Sequence, residues 1–368
     1  MQGHRNLIPQ LTVMAFILSS MLAACKIKPS SASKPEPKMI STPSDASTSS
    51  STIAIIKDVP GEEAEVLISK LMDIHERLKA RGVDDLKPCD EVNELFIDLV
   101  GMCIQTISED VTNKVLSDAR VIAIIPSLHT LCGVAECHLE SHWAKYISGD
   151  IFSTSEQVHD RLAKFPYYSN YVDLTRMELS ALNSLITQTC RPLQKFAFIG
   201  SGHLPLTSLC IDQTAASFSH PGQNHTLEHP VEVLNIDFNP QAISDSRQLC
   251  ELLGPRATGM KFQCSAADSP ELDLSSFDVV YLAALVGSTQ AEKEILLESV
   301  VGRMREGAYL VVRSAERLRR LLYAEFDPTT ERVLSRLDIC LAVHPYNLVV
   351  NSVIIGKVRR RTLVEKSR

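Results

Sequence analysis

Two glutamates four residues apart, Glu136 and Glu140, are the first residues whose spacing carries chemistry. On a helix that interval puts both carboxylates on one face. A carboxylate beside a bound ammonium can take its proton, so Glu136 reads as a candidate general base and Glu140 as a group that positions the substrate or Glu136 itself. On the residues alone, a solvated helix face explains the pair as well. A second group is a strand and its turn: Phe196–Ile199 runs into Gly200-Ser201-Gly202. Two glycines there permit a tight turn and close approach of a ligand to the backbone. The next two apolar runs end in Asp237 and Asp268. The first carboxylate can accept both ribose hydroxyls of a nucleoside, and the second can meet its base; a helix N-cap explains either one taken singly. Pro205 and Leu206 stand where a dinucleotide fingerprint has its third glycine. A mononucleoside such as S-adenosylmethionine therefore fits better than NAD. The distance from Gly200 to Asp237 exceeds the usual ~20 residues, which reads as a loop insertion over 220–230.

Other candidates are weaker. Tyr167 and Tyr168 offer phenol hydroxyls to orient an amine or a carboxylate, with Tyr168 the catalytic one; loop packing is the alternative. Arg313, at the end of a strand, can pair its fork with a substrate carboxylate or form a structural salt bridge. His138 and His142 lie four apart with Cys137 nearby, but no third ligand is identifiable, so no metal site is expected. There is no convincing Ser-His-Asp order and no phosphate-cradling loop with a lysine.

These residues need elements to hold them. The chain has 368 residues, 45% hydrophobic and 22% charged, with a net charge of −7. That excludes bulk disorder and a polytopic membrane protein, and it gives no basic excess for nucleic acid. The ten cysteines are scattered without a CxxC pair, which reads as reduced thiols in a cytosolic protein. Residues 1–25 contain the apolar run Leu11–Ala24 before Cys25, a candidate signal or anchor leader. Residues 26–57 form a linker; within 29–52 there are nine Ser, three Thr and four Pro, too polar to offset ordering entropy. Residues 58–190 show helical periodicity: Glu62–Arg81, Asp90–Ile107, a segment opened by Pro126 and running Ser127–Ile147, and Leu174–Gln188. Phe165–Tyr171 between the last two reads as an ordered loop. Residues 191–368 alternate apolar runs with helical stretches, at 196–200, 231–237, 260–268, 277–286, 307–314 and 348–358. Runs apolar throughout are buried parallel strands covered by helices on both sides, and the last is expected to be antiparallel near an edge. The fold class is α/β: a doubly wound sheet preceded by a small N-terminal helical bundle.

Longer stretches resemble the nicotianamine synthase family. GSGHLPLTS (200–208) is similar to its glycine turn, FDVVYLAALVG (277–287) to its fourth strand, and FPYYSNY (165–171), LCGVAECHLESH (131–142) and NSVII (351–355) to further motifs in the same order. The resemblance implies a class I S-adenosylmethionine-dependent, Rossmann-like fold. It implies transfer of the 3-amino-3-carboxypropyl group: three S-adenosylmethionine molecules condense, one closes an azetidine ring, and three methylthioadenosines leave. The product, nicotianamine, chelates metals and serves as a metallophore in metal homeostasis. Carried over by motif, Glu136 and Tyr168 are catalytic. Glu140, Tyr167, Asn170, Tyr171 and Arg313 bind substrate. Gly200, Ser201, Gly202, Asp237, Asp268 and Ala284 hold the S-adenosylmethionine. The expected partners are that small molecule alone, with no nucleic acid, no metal and no other cofactor. Alternatives are an aminocarboxypropyl transferase that stops at a shorter, opine-type product, and a non-enzymatic S-adenosylmethionine-binding protein. Three departures stand out: His203 replaces a proline after the turn, Gly133-Val134 replaces polar residues, and Glu316–Arg320 replaces a glycine-bearing segment. Because S-adenosylmethionine is held in the cytosol, a cytoplasmic location is expected, with membrane anchoring or secretion through residues 1–25 as the alternative. The sequence leaves the oligomeric state open.

Overall fold

A computed structural model describes residues 59–186, 193–215 and 231–360. The expected leader, linker and 220–230 insertion lie outside the described residues. From Glu63 on, these residues form one compact unit. The two segments read from sequence as a helical domain and a sheet domain pack within it.

Six helices come first: α1 (Val59–Arg81), α2 (Asp90–Cys103), α3 (Glu109–Ser117), α4 (Ala119–Ser148), α5 (Ser155–Leu162) and α6 (Tyr168–Ser184). Their ends follow capping chemistry. The Ser108 side chain accepts from Val111 N–H and starts α3, Asp118 accepts from Arg120 N–H and starts α4, and Thr154 with Gln157 forms a capping box on α5. Two expectations need correction. Pro126 does not open a helix; it lies inside the 30-residue α4. A proline removes one intrahelical bond, to the carbonyl four residues back. That carbonyl belongs to Ile122, which is 54% exposed, so water can satisfy it. The segment 165–171 is also not all loop, because Tyr168 already begins α6. Phe165 explains this: its ring packs edge-on to Trp143 of α4 at 5.3 Å and to Tyr167 at 5.8 Å, and its carbonyl accepts from Tyr168 N–H. Aromatic packing here outweighs weak helix propensity.

The second half builds a seven-stranded sheet in the order β3-β2-β1-β4-β5-β7-β6. The strands are β1 (Lys195–Ile199), β2 (Glu232–Asp237), β3 (Met260–Cys264), β4 (Val279–Leu282), β5 (Tyr309–Ser314), β6 (Leu337–Val343) and β7 (Ser352–Val358). β7 is antiparallel to both β5 and β6. Interleaved are α7 (Leu206–Ala215), α8 (Pro240–Leu253), α9 (Gln290–Val301) and the short α10 (Glu331–Leu334), with a 3-10 turn at Arg317–Leu321. The strand β6 had no expectation from sequence. Its burial alternates residue by residue, and no continuous apolar run announces it.

Strand alternation sends side chains to two cores. Ala197, Ile199, Val280 and Leu282 pack with Leu297 and Val300 of α9. Phe196, Phe198 and Tyr281 pack with Leu174 and Leu182 of α6 and Ile211 of α7. A third core joins α1 to α4 and takes in Leu318 and Leu321 of the 3-10 turn, so the helical segment rests on a piece of the sheet half. The strand order reverses between β1 and β4, and in such sheets ligands bind beyond the carboxyl ends of the strands at that reversal.

Candidate active site

A cavity of about 1010 Å³ lies at that reversal. Pockets for single small ligands run to ~300–1,000 Å³, so this one is at the upper end. Its floor is the turn after β1, where Gly200 has φ +82° and Gly202 φ +66°, in the region that favours glycine. A Cβ at Gly202 would collide with Glu140 Oε2, so the glycine also makes room for a carboxylate. Asp237, at the end of β2, accepts Gly202 N–H at 2.9 Å on one oxygen and Asn239 N–H at 2.9 Å on the other. Asp268 lies exposed at the rim. Ala284, after β4, closes the opposite side; its carbonyl and that of Val286 accept from the buried ammonium of Lys293 at 2.8 and 3.1 Å. Burial pushes Lys293 down to about 8. The six residues expected to hold the nucleoside, Gly200, Ser201, Gly202, Asp237, Asp268 and Ala284, thus line one cavity.

The roof is α4. Leu128, Leu131 and Ala135 face the helical core, which turns Glu136, Cys137 and Glu140 toward the cavity. Glu140 Oε2 accepts His203 N–H at 3.1 Å. Burial pushes the Glu140 carboxyl well above 4.5, and the neighbouring Glu136 charge pushes it further. Glu136 is also raised by burial, and the Tyr323 hydroxyl, donating to its Oε2 at 3.0 Å, opposes that. Two carboxylates on successive turns, with no salt-bridge partner among the described residues, are costly to ionise together. Such a pair can seat a cation, and one member can carry a proton.

Of the other expected residues, Tyr171 reaches the cavity wall and Tyr168 does not. Tyr168, expected to act on substrate, begins α6 off this wall. The first turn of α6 brings it near Cys210 of α7, whereas Tyr171 is close enough to Glu136 and Glu140 for both to raise its pKa. Tyr167 lies near Glu136 but off the wall. Asn170 is not on the wall either: its Nδ2 donates to the Leu348 carbonyl at 3.1 Å and ties α6 to the approach to β7. Arg313 is on the wall and forms a buried salt bridge, the alternative expected for it. Nε and Nη2 donate to Glu178 at 2.8 and 3.1 Å, and Nη2 donates to Thr207 Oγ1 at 2.7 Å. Among the described residues no group of three or more His, Cys, Asp and Glu side chains is arranged to hold a metal ion.

Sequence reading missed Tyr323, Ser208, Asn351 and the neighbourhood of His203. His203 Nδ1 lies 2.7 Å from Asp245 Oδ2, and its Nε2 lies 3.7 Å from Cys137 Sγ. The departure from proline thus stitches the glycine turn to α8 and α4. Only the hydroxyl-rich "LTS" after the turn and the "NSV" before β7 hinted at Ser208 and Asn351.

The sequence profile described as nicotianamine synthase protein matches residues 60–362. Nicotianamine synthase 3 of Oryza sativa subsp. indica is 34% identical over 309 residues, covering 83% of both chains. Nicotianamine synthase 3 of Arabidopsis thaliana is 33% identical over 297 residues, covering 81% of this chain and 85% of the relative. The chain belongs to the nicotianamine synthase family. Among solved structures, an MtNAS variant in complex with S-adenosylmethionine superposes with a TM-score of 0.62 at 18% identity, covering 80% of this chain and 99% of that one. MtNAS in complex with MTA and tNA gives 0.59 at 18% identity, covering 82% and 99%. At that identity the likeness speaks for the fold, and the nicotianamine synthase fold is the one described above.

Proposed function

We propose that this chain is a nicotianamine synthase: it condenses three S-adenosylmethionine molecules by 3-amino-3-carboxypropyl transfer, with azetidine closure, to give nicotianamine and three methylthioadenosines. The observation that carries the reading is the pair Glu136 and Glu140 facing the glycine turn across one cavity. The sulfonium of S-adenosylmethionine is already an activated leaving group, so the chemistry asks for orientation and for removal of one proton per condensation. Asp237 and the Gly200–Gly202 turn hold the ribose side, with Asp268 and Ala284 beside the base. A sulfonium or α-ammonium arriving under α4 supplies the cation the two carboxyls lack, and it draws Glu136 into its ionised form. Glu136, held by Tyr323, then accepts the proton of the attacking amine; its raised pKa brings it nearer to working pH. Glu140 and Tyr171 position the amine. As written, the reaction involves no metal; the product's carboxylates and amines bind metal ions after release.

The departure at Glu316–Arg320 supports a second reading, in which condensation stops early, because Arg320 and Glu325 line the cavity where the growing product would extend. Mass spectrometry of the purified full chain incubated with S-adenosylmethionine alone tests both. Methylthioadenosine with nicotianamine is the expected result; methylthioadenosine with a shorter product favours the second reading; unreacted S-adenosylmethionine overturns both. The substrate and the free described cysteines support a cytoplasmic location.

A further inference from the structure

The cavity wall carries two sets of side chains of unlike chemistry. Under α4 are Glu136, Glu140 and Asp237, with no lysine or arginine bonded to them among the described residues. The second set is built around Arg313, whose charge is compensated by Glu178 and whose field reaches Glu136. Beside Arg313 two polar groups on the cavity wall are left without partners. The Oγ of Ser208 and the Nδ2 of Asn351 are buried and meet no hydrogen-bonding group among the described residues. Ser208 is 1% exposed, and the residue before it, Thr207, accepts from Arg313. Asn351 directly precedes β7, whose Ser352 and Val353 pair with Ser314 and Arg313 of β5. Both orphans thus lie next in sequence to residues that meet Arg313 or its strand.

A buried polar group without a partner is costly, and native chains keep few of them. Two on one cavity wall, both able to donate, mark a place for an acceptor. We infer that Ser208 and Asn351 form a carboxylate subsite for the α-amino-acid part of the substrate, with Glu136 and Glu140 taking its ammonium. This rests on the proposed aminocarboxypropyl chemistry and names which side chains hold which group of the amino acid. A zwitterion then lies along the cavity with its amine under Glu136. An overlong or reversed ligand would set a carboxylate against Glu140 and be rejected.

The test compares S-adenosylmethionine with methylthioadenosine, which lacks the amino acid. Binding of each to the full chain is measured by calorimetry for wild type, Ser208→Ala and Asn351→Leu, alongside turnover. A hydrogen bond to a charged group is worth ~1.5–3 kcal/mol. Each variant should weaken S-adenosylmethionine binding roughly 10-fold or more while leaving methylthioadenosine binding unchanged. Ser208→Thr, which keeps the hydroxyl, should restore it. Equal weakening of both ligands would mean a structural role and overturn the subsite, and so would unchanged binding of both. If wild type binds both ligands but consumes no S-adenosylmethionine, the synthase reading fails, yet the selective loss still reads the carboxylate subsite.

Discussion

Arg313–Glu178 and Glu136/Glu140 are both ionisable arrangements set in protein interior, and they are opposites. The first is an opposite-charge pair closed on itself, with Glu178 fully buried and Thr207 taking a further guanidinium bond. The second is a like-charge pair on a cavity wall, held by neutral donors only: the Tyr323 hydroxyl for Glu136, and the His203 and Leu204 backbone N–H groups for Glu140. Burial alone does not mark function. The informative difference is whether the charge is already answered inside the chain. Where it is, removal of a partner should damage stability; where it is not, removal of a charge should damage chemistry and spare the fold.

The sharpest break of that contrast is Glu136→Gln. Turnover should fall by about 10²–10⁴, the range for loss of a general base, with a melting temperature no lower than wild type; a variant retaining wild-type turnover would remove Glu136 from the mechanism. Arg313→Met should show the reverse pattern. It strands the Glu178 carboxylate, at a cost of ~3–5 kcal/mol for a broken buried pair, read as a lower denaturant midpoint. The double variant Arg313→Met/Glu178→Leu should recover much of that loss. Tyr323→Phe removes a donor from Glu136 without stranding a charge. The acid limb of the rate profile should move up by about 1–2 pH units, because the neutral carboxyl is then favoured.

The smallest effect is one of slope. Glu136 and Glu140 have folded-state pKa values raised above 4.5, so the folded chain holds protons that the unfolded chain releases. Stability contributed this way is present below about 4.5 and is lost as pH rises through the raised values. Chemical denaturation across pH should show that decline in the free protein. Glu140→Gln should flatten it, and an identical slope in that variant would place the uncompensated charge elsewhere.

What was legible in the sequence follows the same division. The glycine turn, Asp237 and the α4 carboxylates announce themselves because their chemistry is local: a strand ends, a turn needs positive φ, a helix repeats every four residues. Four of the sheet's seven strands, β1, β4, β5 and β7, are largely apolar runs for a local reason too, burial on both faces. The fate of Arg313 was not legible, since its partner lies 135 residues earlier. Tyr323 meets Glu136 from 187 residues away. Tyr168 and Tyr171 cannot be told apart by type; only the packing of Phe165 on Trp143 turns one toward the carboxylates and the other toward α7. Pro126 misled because a helix break was read where α4 merely exposes one carbonyl.

Those long separations also govern how the chain is made. Synthesis delivers α4 and α6, with Glu136, Glu140 and Glu178, before any strand exists. Until β5 and the turn after it emerge, the three carboxylates have neither the arginine nor the tyrosine that receives them, and they keep the emerging helical face hydrated. The nascent helices cannot settle on a premature interior, because the groups that would have to be buried are still charged. Contacts this distant in sequence close slowly. The same acids therefore favour a hydrated first half of the chain while it waits for the second.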